Sequence, residues 1–265
     1  MSVLAVEGVS RTFPGVRGGT PTVALQPVDL AIHPGQVTCL VGDNGAGKST
    51  LVKLMTGVVR SDSGSMTLTG EPYDPHSPAD ARRRGIEAVY QDLALCPNLG
   101  AVPNLILGDE PTFGPRLGVL SLVDRRAAEQ VAVERLREMH VRLRDVNLPI
   151  SNLSGGQRQS VAIARAAHPD VRLAVLDEPT AALGVGQTRM VLELVKRLAR
   201  GGASVVVVSH DVENVMEVAD RVVVLRLGRI VFDGPISELT IERLVLLMAG
   251  VDQESAAPPR SPSAI

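Results

Sequence analysis

The sequence predicts an α/β fold whose mostly parallel sheet is interrupted by a block of helices, and three observations predict it. Residues 36–55 read as strand, glycine-containing loop and helix. Residues 93–167 then lose the strand pattern and show apolar residues at helical spacing. From residue 173 onward, short apolar runs alternate again with helical patterns, as in a sheet built from strand–helix–strand units.

Taken in order, residues 3–6 and 23–32 read as strands separated by a glycine-rich loop at 15–20. QVTCLV (36–41) is a short β-rich run ending at a glycine, and 48–55 is a helix. Residues 65–69 alternate and 85–90 form another short strand. The amphipathic stretch 124–140 is a helix with Asp124 as its cap, and a second helix runs over 156–167. Strands follow at 173–176 and 204–208, with helices at 187–200 and 212–219. Residues 221–225 and 229–232 close as a hairpin with Gly228 in its turn. The tail 251–265, rich in Pro, Ser and Ala, is expected to be disordered.

Composition bounds the function. A chain of 265 residues, 45% hydrophobic, can bury a full core. A net charge of −2 gives no electrostatic case for a nucleic-acid partner. Cys39 and Cys96 are too few for a disulfide framework and fit a reducing compartment. No apolar run approaches the roughly 18 residues needed to cross a bilayer, and the start, with Glu7 and no basic residue, does not read as a secretion signal.

The motif that carries chemistry is GDNGAGKST: Gly42, Asp43, Asn44, Gly45, Ala46, Gly47, Lys48, Ser49 and Thr50. It fits G-x-x-x-x-G-K-[ST], with a strand before it and a helix after it. The glycines let backbone N–H groups converge on phosphate oxygens, and the helix start adds partial positive charge. Lys48 would reach the β- and γ-phosphates of ATP, Ser49 would ligate Mg²⁺, and Thr50 would lie at the α-phosphate end.

DEPT occurs twice, at 109–112 and 177–180. The second follows VRLAVL, a buried-strand pattern that would deliver Asp177 beside the phosphate loop, within reach of Mg²⁺. Glu178 would then orient and deprotonate the attacking water. The first follows NLILG, with Pro103 upstream, Gly108 breaking the approach and FGPRLG looping afterwards. No strand delivers Asp109 to anything, so the first copy is expected to be a decoy.

LSGGQRQ (153–159) opens a helix, and Ser154 with the Gly155 and Gly156 amides and Gln157 makes a second anion-binding nest. One small ligand needs only one cradle. With both motifs in one chain, the sequence resembles the ATP-binding cassette (ABC) ATPases over about residues 3–245.

The resemblance implies a P-loop NTPase core with an N-terminal antiparallel β subdomain and an inserted α-helical subdomain. The boundaries expected are 3–250 for the whole domain, 3–91 and 168–250 for the core, and 92–167 for the helical subdomain. It further implies that Gln91 in VYQ touches Mg²⁺ and the water, that His210 in VVVVSHD bonds the γ-phosphate, and that Phe13 in RTFPGV stacks on adenine. Two departures stand out. VRGGTPT lengthens the connection after Phe13, and Gly184 replaces the aspartate of the loop that crosses the family's dimer.

Within the family, stretches such as GIEAVYQDLAL and HDVENVMEVADRVVVLRLGR are similar to ATPase subunits of bacterial ribose, xylose and fructose importers. That likeness implies ATP hydrolysis coupled to monosaccharide import, with ATP and Mg²⁺ bound between two copies of the chain. It implies membrane permease subunits as partners, a solute-binding protein indirectly, and residence at the cytoplasmic face of the membrane. The alternatives are import of another small solute, or a non-transport relative acting on nucleic acid or ribosomes. Leu93, Leu95, Leu99, Leu105 and Ile106 are either a permease-docking surface beside Gln91 or the core of the helical insert.

Overall fold

The computed structural model describes residues 2–15, 19–113 and 122–251; the expected disordered tail lies outside them, except for Val251. Its main sheet has six strands in the order β12-β11-β3-β10-β9-β6. These are β3 (Val37–Val41), β6 (Ile86–Val89), β9 (Leu173–Asp177), β10 (Ser204–Val208), β11 (Arg221–Arg226) and β12 (Arg229–Pro235). All neighbouring pairs are parallel except β11 with β12, which form a hairpin. Leu227 and Gly228 close it with φ of 47° and 76°, the left-handed pair a tight two-residue hairpin requires.

A second, antiparallel sheet is built from β1 (Leu4–Phe13), β2 (Thr22–Ile32), β4 (Ser63–Leu68) and β5 (Glu71–Pro72). β1 runs well past the four residues expected of it, because a bulge at Gly8 (φ 59°) lets pairing with β2 resume at Val9. A two-stranded piece, β7 (Thr112–Phe113) with β8 (Leu122–Val123), begins at the last residue of the first DEPT and includes Phe113, where a loop was expected to start.

The main sheet is buried on both faces, and strict alternation divides its residues. Val37, Cys39, Val41, Ala174, Leu176, Val205 and Val207 join one core cluster, while Leu40, Leu173, Val175, Val206 and Val208 join the other. The first cluster is roofed by α6 (Val185–Arg200) and α5 (Gly155–Arg165), and the second by α1 (Lys48–Met55) and the antiparallel sheet. Burial raises the Cys39 thiol far above its usual range, with Asp220 adding to the effect, so it is inert packing.

Between β6 and β9 the chain forms α3 (Ala101–Ile106), α4 (Arg125–Glu138) and α5. Asp124 caps α4, its carboxylate accepting from the N–H groups of Arg126 and Ala127. Three helices have no counterpart in the sequence reading. These are α2 (Pro78–Arg83), α3 and α8 (Ile241–Ala249), which follows α7 (Val212–Val218). α2 and α3 span six residues each, too short to display a period. Pro103 is no obstacle to α3, because it sits in the first turn, where no intrahelical N–H is required.

A buried carboxylate ties these helices to the sheet. Glu87 of β6 accepts from Arg165 Nε of α5 and forms an ion pair with Arg82 of α2, both at 3.2 Å. Burial pushes the Glu87 carboxyl above its usual value, although both arginines oppose this. Arg165 is 10% exposed in its side chain and Arg82 35%. Glu87→Ala would strand a desolvated guanidinium, and urea unfolding should show a loss of about 3 kcal/mol. Glu87→Gln should lose less. The folded state binds this proton more tightly than the unfolded one, so the Glu87 contribution weakens as pH rises from 4.5 through its raised folded pKa.

Candidate functional site

Parallel register gathers the site. Leu40 pairs with Val208, Val208 with Asp177, and Leu176 with Val89, so β3, β10, β9 and β6 all end at one edge of the sheet. The four segments that leave this edge are the phosphate loop, SHD, the second DEPT and Gln91. An open α/β sheet binds ligands at the carboxyl ends of its strands for this reason.

The loop after β3 is held open by glycines. Gly42, Gly45 and Gly47 have φ of 141°, 80° and 109°. A Cβ on Gly42 would lie 2.1 Å from the Leu225 carbonyl oxygen, and one on Gly47 would lie 2.8 Å from that of Ala24. Gly47 is the N-cap of α1 and offers no side chain to its first-turn N–H groups, which are left for an anion. Ala46 is buried and its N–H donates to Asp43 O at 3.1 Å, while Asp43, Asn44, Gly45 and Ser49 are exposed and Thr50 is half-buried. Lys48 is buried, donating from Nζ to the carbonyls of Gly42 and, at 3.0 Å, Asp43. Burial lowers its pKa, while the negative charges of Glu178, Asp43 and Asp177 oppose the shift. A phosphate chain would add further counter-charge to this partly desolvated ammonium.

At the end of β9, Asp177 is half-buried. Burial raises its pKa, Glu178 adds to this, and Lys48 and Lys53 oppose it. Glu178 has φ of 51°, uncommon for a residue with a Cβ, yet its N–H still donates to Val208 O at 3.0 Å. The chain therefore turns sharply here without leaving the ladder. The turn brings Glu178 Oε1 to 2.8 Å from His210 Nδ1. His210 is 70% exposed in its side chain and Glu178 only 18%, so the imidazole stands over the carboxylate on the solvent side. Asn214 of α7 donates to the Thr180 hydroxyl at 3.3 Å and ties the second DEPT to the segment after β10.

Gln91 begins the turn after β6 and is exposed, and Leu93 and Ala94 follow at φ of 62° and 44°. Phe13 ends β1, partly exposed. Of the apolar residues flanking Gln91, Leu105 and Ile106 are buried in the first core cluster, with Leu93 and Leu95 packed against it. Only Leu99, 43% exposed, offers much surface, so most of this set serves as the core of the helical insert.

At the first DEPT no strand precedes Asp109, which pairs instead with Arg82 of α2. α3 ends just before it, and Gly108, at φ 87°, folds the chain back so closely that a Cβ there would sit 2.8 Å from Arg82 Nη1. Glu110 Oε1 accepts from the Gly108 N–H at 3.1 Å.

Ser154 caps α5 with a reciprocal pair: its hydroxyl accepts from Gln157 N–H at 3.3 Å, and its own N–H donates to Gln157 Oε1 at 3.0 Å. The glycines allow close approach to α6, since a Cβ on Gly156 would lie 3.0 Å from Gln187 and one on Gly155 3.4 Å from Leu183. Among the described residues, no hydrogen bond joins Ser154–Gln157 to the phosphate loop. Gly184 is the N-cap of α6 and has nothing within 4 Å of its Cβ position. Sequence reasoning missed Arg11, Asp62, Asn214 and Arg82; only Arg11, two residues before Phe13 on a strand, leaves a signal there.

Comparison with known proteins agrees with this fold. Residues 25–181 match the family described as ABC transporter. A fructose import ATP-binding protein of Rhizobium meliloti is 41% identical over 89% of this chain and 90% of its own. A xylose/arabinose import ATP-binding protein of Sulfolobus acidocaldarius is 39% identical over 93% of each. A ribose import ATP-binding protein of Rubrobacter xylanophilus is 40% identical over 94% of this chain, which spans 48% of that relative's length. Among solved structures, a dimeric ATP-binding cassette in a post-hydrolysis state bound to ADP and Pi superposes with a TM-score of 0.73 at 26% identity, covering 88% of this chain and 98% of its own. The chain belongs to the ABC transporter family, as one of its ATPase cassettes.

Proposed function

We propose that this chain binds ATP with Mg²⁺ and hydrolyses it as one of two identical subunits, driving monosaccharide import through a membrane permease. The observation that carries the two-subunit reading is the pair of anion-ready helix starts, α1 and α5. They lie on separate elements with no hydrogen bond between them among the described residues. A second copy supplies its Ser154–Gln157 nest to the first copy's phosphate loop, and receives the same in return. The cargo follows from the names of the fructose, xylose/arabinose and ribose import relatives. A solute-binding protein would deliver the sugar to the permease. No helix of the described residues is long and apolar enough to cross a membrane, so the permease would hold the chain at the cytoplasmic face. Residues 92–167, as a helical subdomain, would carry the signature nest and face the permease.

Each residue has a task. The amides of Gly42–Thr50 cradle the phosphates, and Lys48 neutralises the β- and γ-phosphates. Phe13 stacks on adenine. The hydroxyl of Ser49, the carboxylate of Asp177 and the amide oxygen of Gln91 are the hard oxygen donors that suit Mg²⁺. That ion, when bound, would screen the charge of the phosphates and oppose the upward shift that burial and Glu178 impose on Asp177. Glu178 is held through one oxygen by His210, leaving the other to accept a proton from water. His210, exposed beyond Glu178, is free to bond the γ-phosphate oxygen. Loss of the γ-phosphate would release the opposing nest and reopen the dimer, a ligand-biased two-state cycle.

Three measurements test this reading. Glu178→Gln should retain ATP binding, lose at least about 10²-fold in turnover and trap a nucleotide-bound dimer; normal turnover would remove Glu178 as the base. Lys48→Ala and Ser154→Arg should each be inactive alone, yet regain turnover when mixed, because a mixed dimer contains one site with both halves intact. Failure of the mixture, with dimers formed, would contradict the shared site. The double variant Asp109→Asn, Glu110→Gln should keep turnover within about twofold, since Asp109 is engaged by Arg82 outside the site; an inactive protein would mean the wrong DEPT had been assigned.

A further inference from the structure

The last three residues of β1 are Arg11, Thr12 and Phe13. Strand alternation puts Arg11 and Phe13 on one face, and the Arg11 guanidinium carbon lies over the Phe13 ring, 5.0 Å from its centroid. Asp62, just before β4, fixes this arrangement from both sides. Its Oδ1 accepts from Arg11 Nη1 at 2.7 Å, and its Oδ2 accepts from the Thr12 N–H at 2.6 Å. Its own N–H donates to Ser10 O at 2.9 Å. One aspartate thus holds each of the residues 10, 11 and 12 that lead into Phe13.

The arrangement is not free. Arg11 Nε is buried with no hydrogen-bond partner, although Arg11 retains 24% side-chain exposure. A cation kept partly desolvated against an aromatic face gains from the ring quadrupole, which offsets part of that loss. The strand also leads to the nucleotide loop. Arg11 pairs with Leu25 of β2, and the carbonyl of the adjacent Ala24 lies 2.8 Å from the Cβ position of Gly47. Phe13 therefore projects two residues along the same strand from the point where the β-subdomain touches the phosphate cradle.

We infer that Arg11, held by Asp62, is a positioning residue for the nucleotide base: its guanidinium covers one face of the Phe13 ring and presents the other face to a purine. The cation draws π density away from the open face, which improves stacking against an electron-rich base. The aspartate prevents the arginine from swinging into solvent or pairing with the phosphates. The inference rests on the reading that Phe13 stacks on adenine, and the experiment separates the two.

Affinities for ATP and for inorganic tripolyphosphate are measured by titration calorimetry on the full chain and on its Arg11→Met, Arg11→Lys, Asp62→Asn and Phe13→Ala variants. Tripolyphosphate needs the phosphate loop but not the ring. Arg11→Met should weaken ATP about two- to fivefold, the range expected of one cation–π contact, and leave tripolyphosphate unchanged. In steady-state ATPase assays the loss should fall on KM rather than kcat. Arg11→Lys, which keeps a cation over the ring, should recover most of the affinity. Asp62→Asn should show the same ATP-only loss, and it stands in should Arg11→Met fail to fold. Equal losses for ATP and tripolyphosphate would mean that Arg11 only braces the sheet, which overturns the inference. Unchanged ATP affinity in Arg11→Met, with Phe13→Ala weakened, overturns it while sparing the ring. Unchanged ATP affinity in Phe13→Ala removes the adenine reading and the inference together.

Discussion

The parallel ladder from β3 through β10 to β9 is the constraint on which the site depends. Pairing of Leu40 with Val208, and of Val208 with Asp177, fixes where three chemically different segments leave the sheet. A slip of one residue in any of these strands would exchange its two faces. Val206 and Val208 would then trade places with Val205 and Val207 between the two core clusters. The ladders on both sides of β10 hold the register, and the register sets where the phosphate loop and carboxylates leave the edge. The Glu178 amide bond to Val208 carries this precision one residue past the end of β9, into a backbone turn that few residues with side chains adopt.

Two charges within that edge, those of Lys48 and Asp177, are partly withdrawn from water by the chain itself. Lys48 is drawn inward by two backbone carbonyls while burial weakens its hold on its proton. Asp177 is likewise raised by burial and by the negative neighbour Glu178. Lys48 and Asp177 each shift toward neutrality because burial outweighs the opposite charges beside them. A phosphate chain with a divalent cation would correct both shifts at once, the phosphate for the ammonium and the cation for the carboxylate.

Much of this was legible beforehand, and the boundary between legible and hidden is physical. β3, β10 and the phosphate loop announce themselves because buried parallel strands are continuous apolar runs and the loop requires glycine where φ is positive. α4 was readable from its period and from Asp124 at its start. α2 and α3 were not, since six residues cannot show a helical repeat, and their positions are set by tertiary contacts such as Arg82 with Glu87. The extension of β1 beyond Gly8 was hidden by a bulge, which shifts the alternation that would have betrayed it. The embrace of Arg11 by Asp62 joins positions 51 residues apart, and no local pattern encodes it.

The two DEPT segments isolate what sequence identity leaves undecided. Both carry the same side chains in the same order, so any difference in role must come from what precedes them. Before Asp177, four buried strand residues pair on both sides and fix the backbone; before Asp109, a six-residue helix ends and Gly108 turns the chain toward Arg82. Asp109 and Arg82 are 42% and 35% exposed in their side chains, where water screens the pair and its net worth is about 1 kcal/mol or less. Asp177 is partly withdrawn from water beside another carboxylate and an ammonium, so each neighbour acts on it more strongly. Of the two copies, only the second is delivered by a strand to the edge where β3, β10, β9 and β6 all end.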